Sequence, residues 1–449
     1  MLASTPRRPP RRPLALTALA SMLLAALPGL ASAQSLQELY DAARAYDAGY
    51  LAARALADSA EYRVAQTDAL GRPTLAATAS GTNSQIDIPG TRIGTQNTDN
   101  LQAALKGSYP LFNRANAATM AQAQKSLGTA QADVETAEQD LIVRVAQAYF
   151  DVLGAQDSLA ATRANKKATV EQLASAKRNF EVGTATITDQ REAQAKYDLG
   201  VAAEIAAEND LLTKRIALDQ LVGRSGVVPR PLIVPVVLPP MAKISAEEWV
   251  TLADQQHPSV RRARVGLEVA QLETTKARAG HLPTVDAVAS LGSSYARGFT
   301  SSAQGTTSQA SLGVQLNWPL YTGGSVQNRI KETTVLEEKA RNDLLAARRG
   351  VAQATRVAYF GVQSGVAQVQ ALVAAEESVK LALEATELSY KVGVRVNLDV
   401  LTAQTTLFNT QRDLAKGRYD VLVGALKLRQ ASGQLKPTDI DIVNSLLAK

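Results

Sequence analysis

The chain has 449 residues and a formal net charge of +6 at pH 7, with no cysteine and two histidines. Four of the positive charges are arginines within the first 33 residues, which contain no acidic residue. The rest of the chain therefore carries +2, and its charge gives no support to a nucleic-acid partner. The absence of cysteine excludes disulfides, and the isolated His257 and His281, each followed closely by a proline, do not form a metal-ligand pattern.

The first 33 residues have the organisation of a secretory signal peptide. Four arginines between Arg7 and Arg12 precede an apolar run from Leu14 to Leu27, and Ala31-Ser32-Ala33 is a small-residue cleavage site. The apolar run is shorter than the ~20 residues that span a bilayer, which disfavours the alternative of a membrane anchor. We therefore expect residues 1–33 to be removed on export and the mature chain to begin at Gln34.

The mature sequence repeats itself at an offset of about 210 residues, so that 47–223 and 257–433 follow one pattern. This predicts a first structural repeat over 34–223, a linker over 224–256, a second repeat over 257–433 and a C-terminal segment over 434–449. The clearest matches are Tyr109-Pro110-Leu111-Phe112 with Trp318-Pro319-Leu320-Tyr321, Ala148-Tyr149-Phe150 with Ala358-Tyr359-Phe360, and Phe180-Glu181-Val182-Gly183 with Tyr390-Lys391-Val392-Gly393.

Each repeat contains one predicted β-hairpin, at about 74–111 and 284–321. Apolar residues alternate with polar or small ones from Leu101 to Leu111, a length typical of a transmembrane strand. Polar stretches, 83–100 and 297–309, are predicted as the hairpin loops. Tyr109 and Trp318 fall at equivalent strand ends, where an aromatic girdle meets the membrane surface. A soluble hairpin with an aromatic core residue is the alternative.

Each repeat also contains a predicted helical hairpin, at about 113–221 and 325–430. The long proline-free stretches are rich in Ala, Gln, Glu, Lys, Arg and Leu, which favour helices. A break at Val182-Gly183-Thr184 suits a glycine C-terminal cap, and Thr186 with Asp189 suits a new helix start. A helix from Asn113 to Phe180 would be about 100 Å long, too long for a compact core. An ordinary soluble coiled coil is the alternative.

Four strands per chain cannot close a barrel, and lipid does not tolerate open sheet edges, so the chain must oligomerise. A dimer would supply eight strands with a filled interior, whereas a trimer would supply twelve and leave a lumen. A conduit therefore favours three copies.

The chain resembles the TolC family of outer-membrane efflux and secretion channels over nearly all of its mature length. The most specific residues are Phe180-Glu181-Val182-Gly183 with Ile187-Thr188-Asp189, and Tyr390-Lys391-Val392-Gly393 with Arg395 and Asp399. The resemblance implies a mainly α homotrimer, with a twelve-stranded barrel in the Gram-negative outer membrane continued by an α-helical barrel in the periplasm. It also implies a passive exit duct for a tripartite efflux pump or a type I secretion system. Its partners would be outer-membrane lipid, a periplasmic adaptor (membrane fusion) protein and an inner-membrane pump of RND, ABC or MFS type.

In that family the helical tips close the channel. Carried over to this chain, the resemblance implies that Tyr390 and Arg395 hold the inner helical pair against Thr188 and Asp189 of the outer pair. These residues are the predicted gate.

The resemblance also implies that Asp399 forms a ring of three carboxylates at the narrowest point, which would bind cations. Thr402 stands where better-known family members carry a second acid, so this chain departs from a double ring. The tips at Val182 and Gly183, and at Val392 and Gly393, would be the adaptor-docking surfaces.

Other classes of protein are less consistent with the sequence. A trimeric surface adhesin would have its strands in one C-terminal block, whereas here they lie inside two repeats. A soluble periplasmic coiled-coil scaffold is a third class, and recovery of the protein in the soluble fraction rather than in membranes would favour it. We find no nucleophile–base pair, phosphate loop or metal-ligand cluster, so neither an enzyme nor a cofactor is expected.

Overall fold

The computed structural model describes residues 33–87, 95–233, 235–236, 244–298 and 305–448. The predicted signal peptide lies outside the described residues except for Ala33. The helices are α1 (Leu36–Tyr46), α2 (Ala48–Asp68), α3 (Arg114–Glu181), α4 (Ile187–Val222), α5 (Ala246–Gln256), α6 (Pro258–Ala279), α7 (Ser325–Lys391), α8 (Asn397–Ala431) and α9 (Asp439–Asn444). The strands are β1 (Thr74–Asp87), β2 (Thr95–Phe112), β3 (Thr284–Arg297) and β4 (Gly305–Asn317).

The two predicted helical hairpins are confirmed. Helices α3 and α7 have 68 and 67 residues, and each turns back through a short tip into α4 or α8. At 1.5 Å per residue the longer helices span about 100 Å. None of the helices in the described part of the chain combines the length and the apolar character needed to cross a membrane.

Four further helices, α1, α2, α5 and α6, precede the β-hairpins, in segments for which the sequence pattern predicted no particular structure. Their starts carry ordinary capping signals, since Ser35 accepts a hydrogen bond from the Glu38 amide and Ser245 forms a capping box with Glu248. Helices α1 and α5 begin 210 residues apart, as do α2 and α6. The proposed division of the chain stays a prediction, and this pairing favours starting the second repeat before α5 rather than at 257.

The strands form one antiparallel sheet in the order β1-β2-β3-β4. Both predicted hairpins are confirmed, but their loops were predicted too long. Residues 83–87 and 95–100 pair with each other in β1 and β2, and the Asn83 side chain donates to Asp99 at 2.5 Å. Residues 83–85 and 97–100 are all polar, so the hydrophobic alternation ends there while the backbone ladder continues. The loop residues 88–94 and 299–304 lie outside the described residues.

The second hairpin ends earlier than predicted, because β4 stops at Asn317 rather than near 321. Pro319 has no amide to donate to a ladder, and the Trp318 indole instead donates to the carbonyl of His281 at 3.2 Å. In β2, Pro110 lies within the strand, but the register shifts between Pro110 and Phe112.

The main core lies midway along the long helices and not at either end. Its largest fully buried side chains include Tyr40, Tyr149 and Phe150, which come from α1 and α3. The Tyr149 hydroxyl lies 2.9 Å from the carbonyl of Arg230, within the segment that joins the two repeats. Residue Leu232 pairs with Leu447 near the C-terminus. The described start of the linker and the C-terminal segment therefore pack against the middle of the helical hairpins.

Candidate functional site

One face of the sheet is apolar across all four strands. The registers place Leu105 beside Ala77 of β1 and Leu291 of β3, and alternate residues of each strand share that face. Its side chains are exposed in the single chain: Leu312 is 86% exposed and Leu75 is 73% exposed. A continuous apolar surface of this kind marks a face that is covered by lipid or protein.

The opposite face is polar. Lys106 lies beside Ser290, whose hydroxyl is 2.7 Å from that of Ser311, and Asp286 lies beside Gln315. Serine and charged side chains on one face, with leucines on the other, are the arrangement of a strand that separates lipid from a water-filled interior.

Tyr109 and Trp318 both lie at the end of the sheet that faces the helices. Tyr109 is near the end of β2 and is 44% exposed, and Trp318 directly follows β4 and is 56% exposed. The structure therefore places both aromatics at equivalent positions, and their role at the membrane interface stays a prediction.

The two helical tips have nearly the same backbone. Gly183 has φ 80° and Gly393 has φ 82°, a left-handed conformation that glycine adopts without steric cost. In each tip the third residue after the helix donates back to the last helical turn: Thr184 to Asn179 at 2.8 Å, and Val394 to Ser389 at 2.9 Å. The duplication therefore produced two matching turns at the far end of the molecule from the sheet.

The second tip carries the contacts between helices. The Tyr390 hydroxyl accepts a hydrogen bond from the side-chain amide of Asn179 at 3.0 Å, which joins α7 to α3. Arg395 is 3.6 Å from the Asp399 carboxylate one turn away. The backbone amide of Val396 also donates to Asp399, at 3.4 Å. Asp399 is thus held by its own helix start and by an arginine.

In the first tip, Asp189 forms a capping box with Thr186. Its carboxylate accepts from the Thr186 amide at 2.9 Å and from the Thr186 hydroxyl at 2.8 Å. Thr188 is exposed. Within the described chain no hydrogen bond or ion pair joins Tyr390 or Arg395 to these two residues, so the predicted gate contact is not made inside one subunit.

Asn179 is a tip residue that the sequence pattern did not single out. It is separated from Tyr390 by 211 positions, and the two come together only because α3 and α7 both run from the sheet to the tips and end side by side. An asparagine in the last turn of a predicted helix was the available signal. Among the described residues, no group of three or more His, Asp and Glu side chains is placed to hold a metal ion.

A sheet with one lipid-type face, continued by helical hairpins about 100 Å long, is the architecture of a channel protein that extends far from the membrane. The family described as Outer membrane efflux protein matches residues 39–224 and 249–434. Outer membrane protein TolC of Vibrio cholerae is 33% identical over 431 residues, covering 95% of this chain and 96% of that protein. The chain therefore belongs to the outer membrane efflux protein family.

Other relatives agree with this assignment. Alkaline protease secretion protein AprF of Pseudomonas aeruginosa is 33% identical over 311 residues, covering 68% of this chain and 64% of that protein. The crystal structure of VceC from Vibrio cholerae shares the fold, with a TM-score of 0.75 at 20% identity over 89% of this chain and 96% of that one. The protein is a TolC-type efflux and secretion channel of the Gram-negative outer membrane and is not an enzyme. This assignment decides against the adhesin and the periplasmic scaffold.

Proposed function

We propose that three copies of the chain close a twelve-stranded barrel and form one continuous exit duct. The observation that carries this proposal is the sheet itself, because within the described residues β1 pairs only with β2 and β4 pairs only with β3. Each chain thus leaves two unpaired edges beside an exposed apolar face. Unpaired backbone groups are not tolerated in lipid, and pairing of β1 with β4 of the next copy satisfies them.

The second helical tip is the proposed gate, with Tyr390, Arg395 and Asp399 facing Thr188 and Asp189 of an adjacent subunit. One feature of the tip supports this. Arg395 is exposed and lies a long 3.6 Å from Asp399, so its guanidinium has further N–H groups that can donate to another subunit. In a trimer the three Asp399 carboxylates would surround the axis and attract cations.

The exposed tips are the proposed docking surface for a periplasmic adaptor. Val182 is 73% exposed and Val392 is 68% exposed, and each is followed by a glycine that lets another helix approach closely. Val394 adds a further apolar side chain at 77% exposure. The adaptor would connect the duct to an inner-membrane pump of RND, ABC or MFS type.

The cargo of the duct is proposed to include small toxic compounds, and proteins through a type I secretion system. The alkaline protease secretion protein among the relatives supports the second class of cargo.

Conductance in planar lipid bilayers tests the gate. Tyr390→Phe combined with Arg395→Ser should raise the conductance of the purified channel, because both hydrogen-bonding groups at the tip are lost. Lys391→Ser is the matched control, since it removes an exposed cation from the same tip and should leave conductance unchanged. Equal conductance of the double variant and the wild type would remove the gate assignment. Native mass measurement tests the trimer, and a mass other than three mature chains would refute it.

A further inference from the structure

The contact between α3 and α8 has two parts of different character. Its upper part, which we call the upper seam, joins residues 140–157 of α3 to residues 419–430 of α8. The polar groups there are paired across the two helices. The pairs are Tyr419 with Asp157 at 2.6 Å, Lys427 with Gln147 at 2.9 Å, and Gln430 with Asp140 at 2.5 Å.

The lower part, which we call the lower seam, joins residues 172–176 of α3 to residues 397–404 of α8, next to the tip. Leu401 lies in one buried cluster with Leu173 and Ala176 of α3. Asn397 and Gln404 are four residues before and three residues after Leu401, so they share its face of α8. They are only 3% and 7% exposed.

The buried amides of the lower seam lack hydrogen-bond partners. Both polar atoms of the Asn397 side chain and the Oε1 atom of Gln404 are buried and unpaired. On α3, Gln172 Oε1, next to Leu173 in the sequence, is in the same condition. These atoms are four of the eight such atoms in the described residues, so unsatisfied polar groups concentrate near the lower seam. Each one weakens the contact, because in water the same group would be hydrogen bonded.

At position 397 this polarity is a property of the second copy, whereas both copies carry glutamine at the other position (Gln194 and Gln404). Position 397 corresponds to Ile187, at the first residue of α4. Ile187 is 46% exposed, whereas Asn397 is 3% exposed. The apolar residue therefore lies outside and the polar residue inside, the reverse of ordinary patterning, and such reversals mark functional positions.

We propose that Asn397 and Gln404 are positioning residues whose unpaired amides weaken the contact between the closed tip of α8 and α3. The tip of α8 can therefore separate from α3 with only a small cost in free energy. When the helices part, water satisfies the buried amides, which offsets the loss of the Leu401 contact. The paired upper seam remains in place and acts as the fixed end of the movement. This inference rests on the gate proposed above and explains why a tip closed by buried helix contacts can still open.

The direction in which a substitution changes the stability of the closed tip distinguishes this role from a merely structural one. A structural amide stabilises the closed tip, and its removal would loosen the tip. A weakening amide does the reverse, so an apolar replacement should tighten it. Asn397→Ile introduces the residue that the first copy has at the same position, and Gln404→Met keeps the length of the side chain.

Single-channel recording and amide hydrogen exchange on the assembled wild-type protein and variants test the proposal. Each substitution should lower the frequency of openings about tenfold and slow exchange in residues 397–407, while exchange in 419–430 is unchanged. Gln411→Met is the control on the same helix, because the Gln411 amide is paired with Glu376 at 3.0 Å and its loss should not reduce openings.

Unchanged or more frequent openings, or faster exchange at 397–407, would overturn the inference. Its failure can be told apart from failure of the gate. If the gate assignment is wrong, the Tyr390 and Arg395 double variant leaves conductance unchanged while the Asn397 variant still slows exchange. If only this inference is wrong, the double variant raises conductance and exchange in the Asn397 variant stays at the wild-type rate.

Discussion

The apolar face of the sheet makes Leu105→Arg a severe substitution. Apolar side chains occupy that face of β2 from Leu101 to Leu111, and Leu105 is near the middle. Ten residues extend about 34 Å along a strand, or about 25 Å across the membrane at a tilt near 40°, which matches the lipid-facing band of outer-membrane barrels. An arginine at the midplane of such a band costs about 2–4 kcal/mol. A trimer would contain three, so assembly should be lost or strongly reduced.

The assay is the amount of heat-resistant trimer recovered from purified outer membranes. Gln102→Arg is the control, because Gln102 lies on the polar face of the same strand, where Lys106 already places a cation. The control should assemble at nearly the wild-type level. Equal recovery of the two arginine variants would show that the apolar face does not contact lipid, and would refute an orientation of the sheet with its leucines outward.

Three glycines with positive φ predict a graded loss of stability, measured by thermal unfolding. At Gly226 an added Cβ meets no atom within 4 Å, so Gly226→Ala should cost about 1 kcal/mol of stability from the left-handed backbone alone. At Gly223 the added Cβ also meets the Tyr46 ring at 2.5 Å, so the cost should be higher. Gly433→Ala should cost most, because its Cβ meets the backbone Cα of His257 at 2.5 Å. Equal losses would contradict this order. Burial holds the pKa of His257 below its ordinary value, so stability should fall as the pH drops below about 6.5, where the unfolded chain takes up a proton that the folded chain does not. His257→Asn keeps a side chain that caps α6 and should abolish this loss between pH 7.5 and 5.5, and an unchanged slope would exclude His257 as its source.

The sequence predicted the elements whose pattern is set by their surroundings. Alternation from Leu101 to Tyr109 is visible because one side of β2 meets an apolar environment and the other a polar one. Toward the hairpin loop, residues 97–100 of β2 are polar on both faces of the strand, so no alternation exists there and the sequence predicts a loop. The long helices were predicted from their composition and lack of proline, which need no knowledge of packing.

The contacts between distant segments could not be predicted in the same way. Asn179 meets Tyr390, and Tyr419 meets Asp157, only because two long helices pack in one particular register. A shift by one turn would replace every partner while leaving the helical pattern of each segment intact. The helices α1 and α5 are a different case, because the capping residues Ser35 and Ser245 are visible in the sequence and indicate a helix start at each place.

The two repeats begin the second helix of each hairpin in different ways. Their tips have matching backbones, yet the first begins its second helix with the paired Thr186 and Asp189, a cap complete within the loop. The second has Val396 at that position, which offers no side-chain cap, and its Asp399 is shared with Arg395. A helix start that is less fully capped, followed by buried unpaired amides, lowers the cost of moving α8 relative to α4. We therefore expect that Val396→Thr, which gives the second tip the cap of the first, would reduce channel openings without altering the sheet.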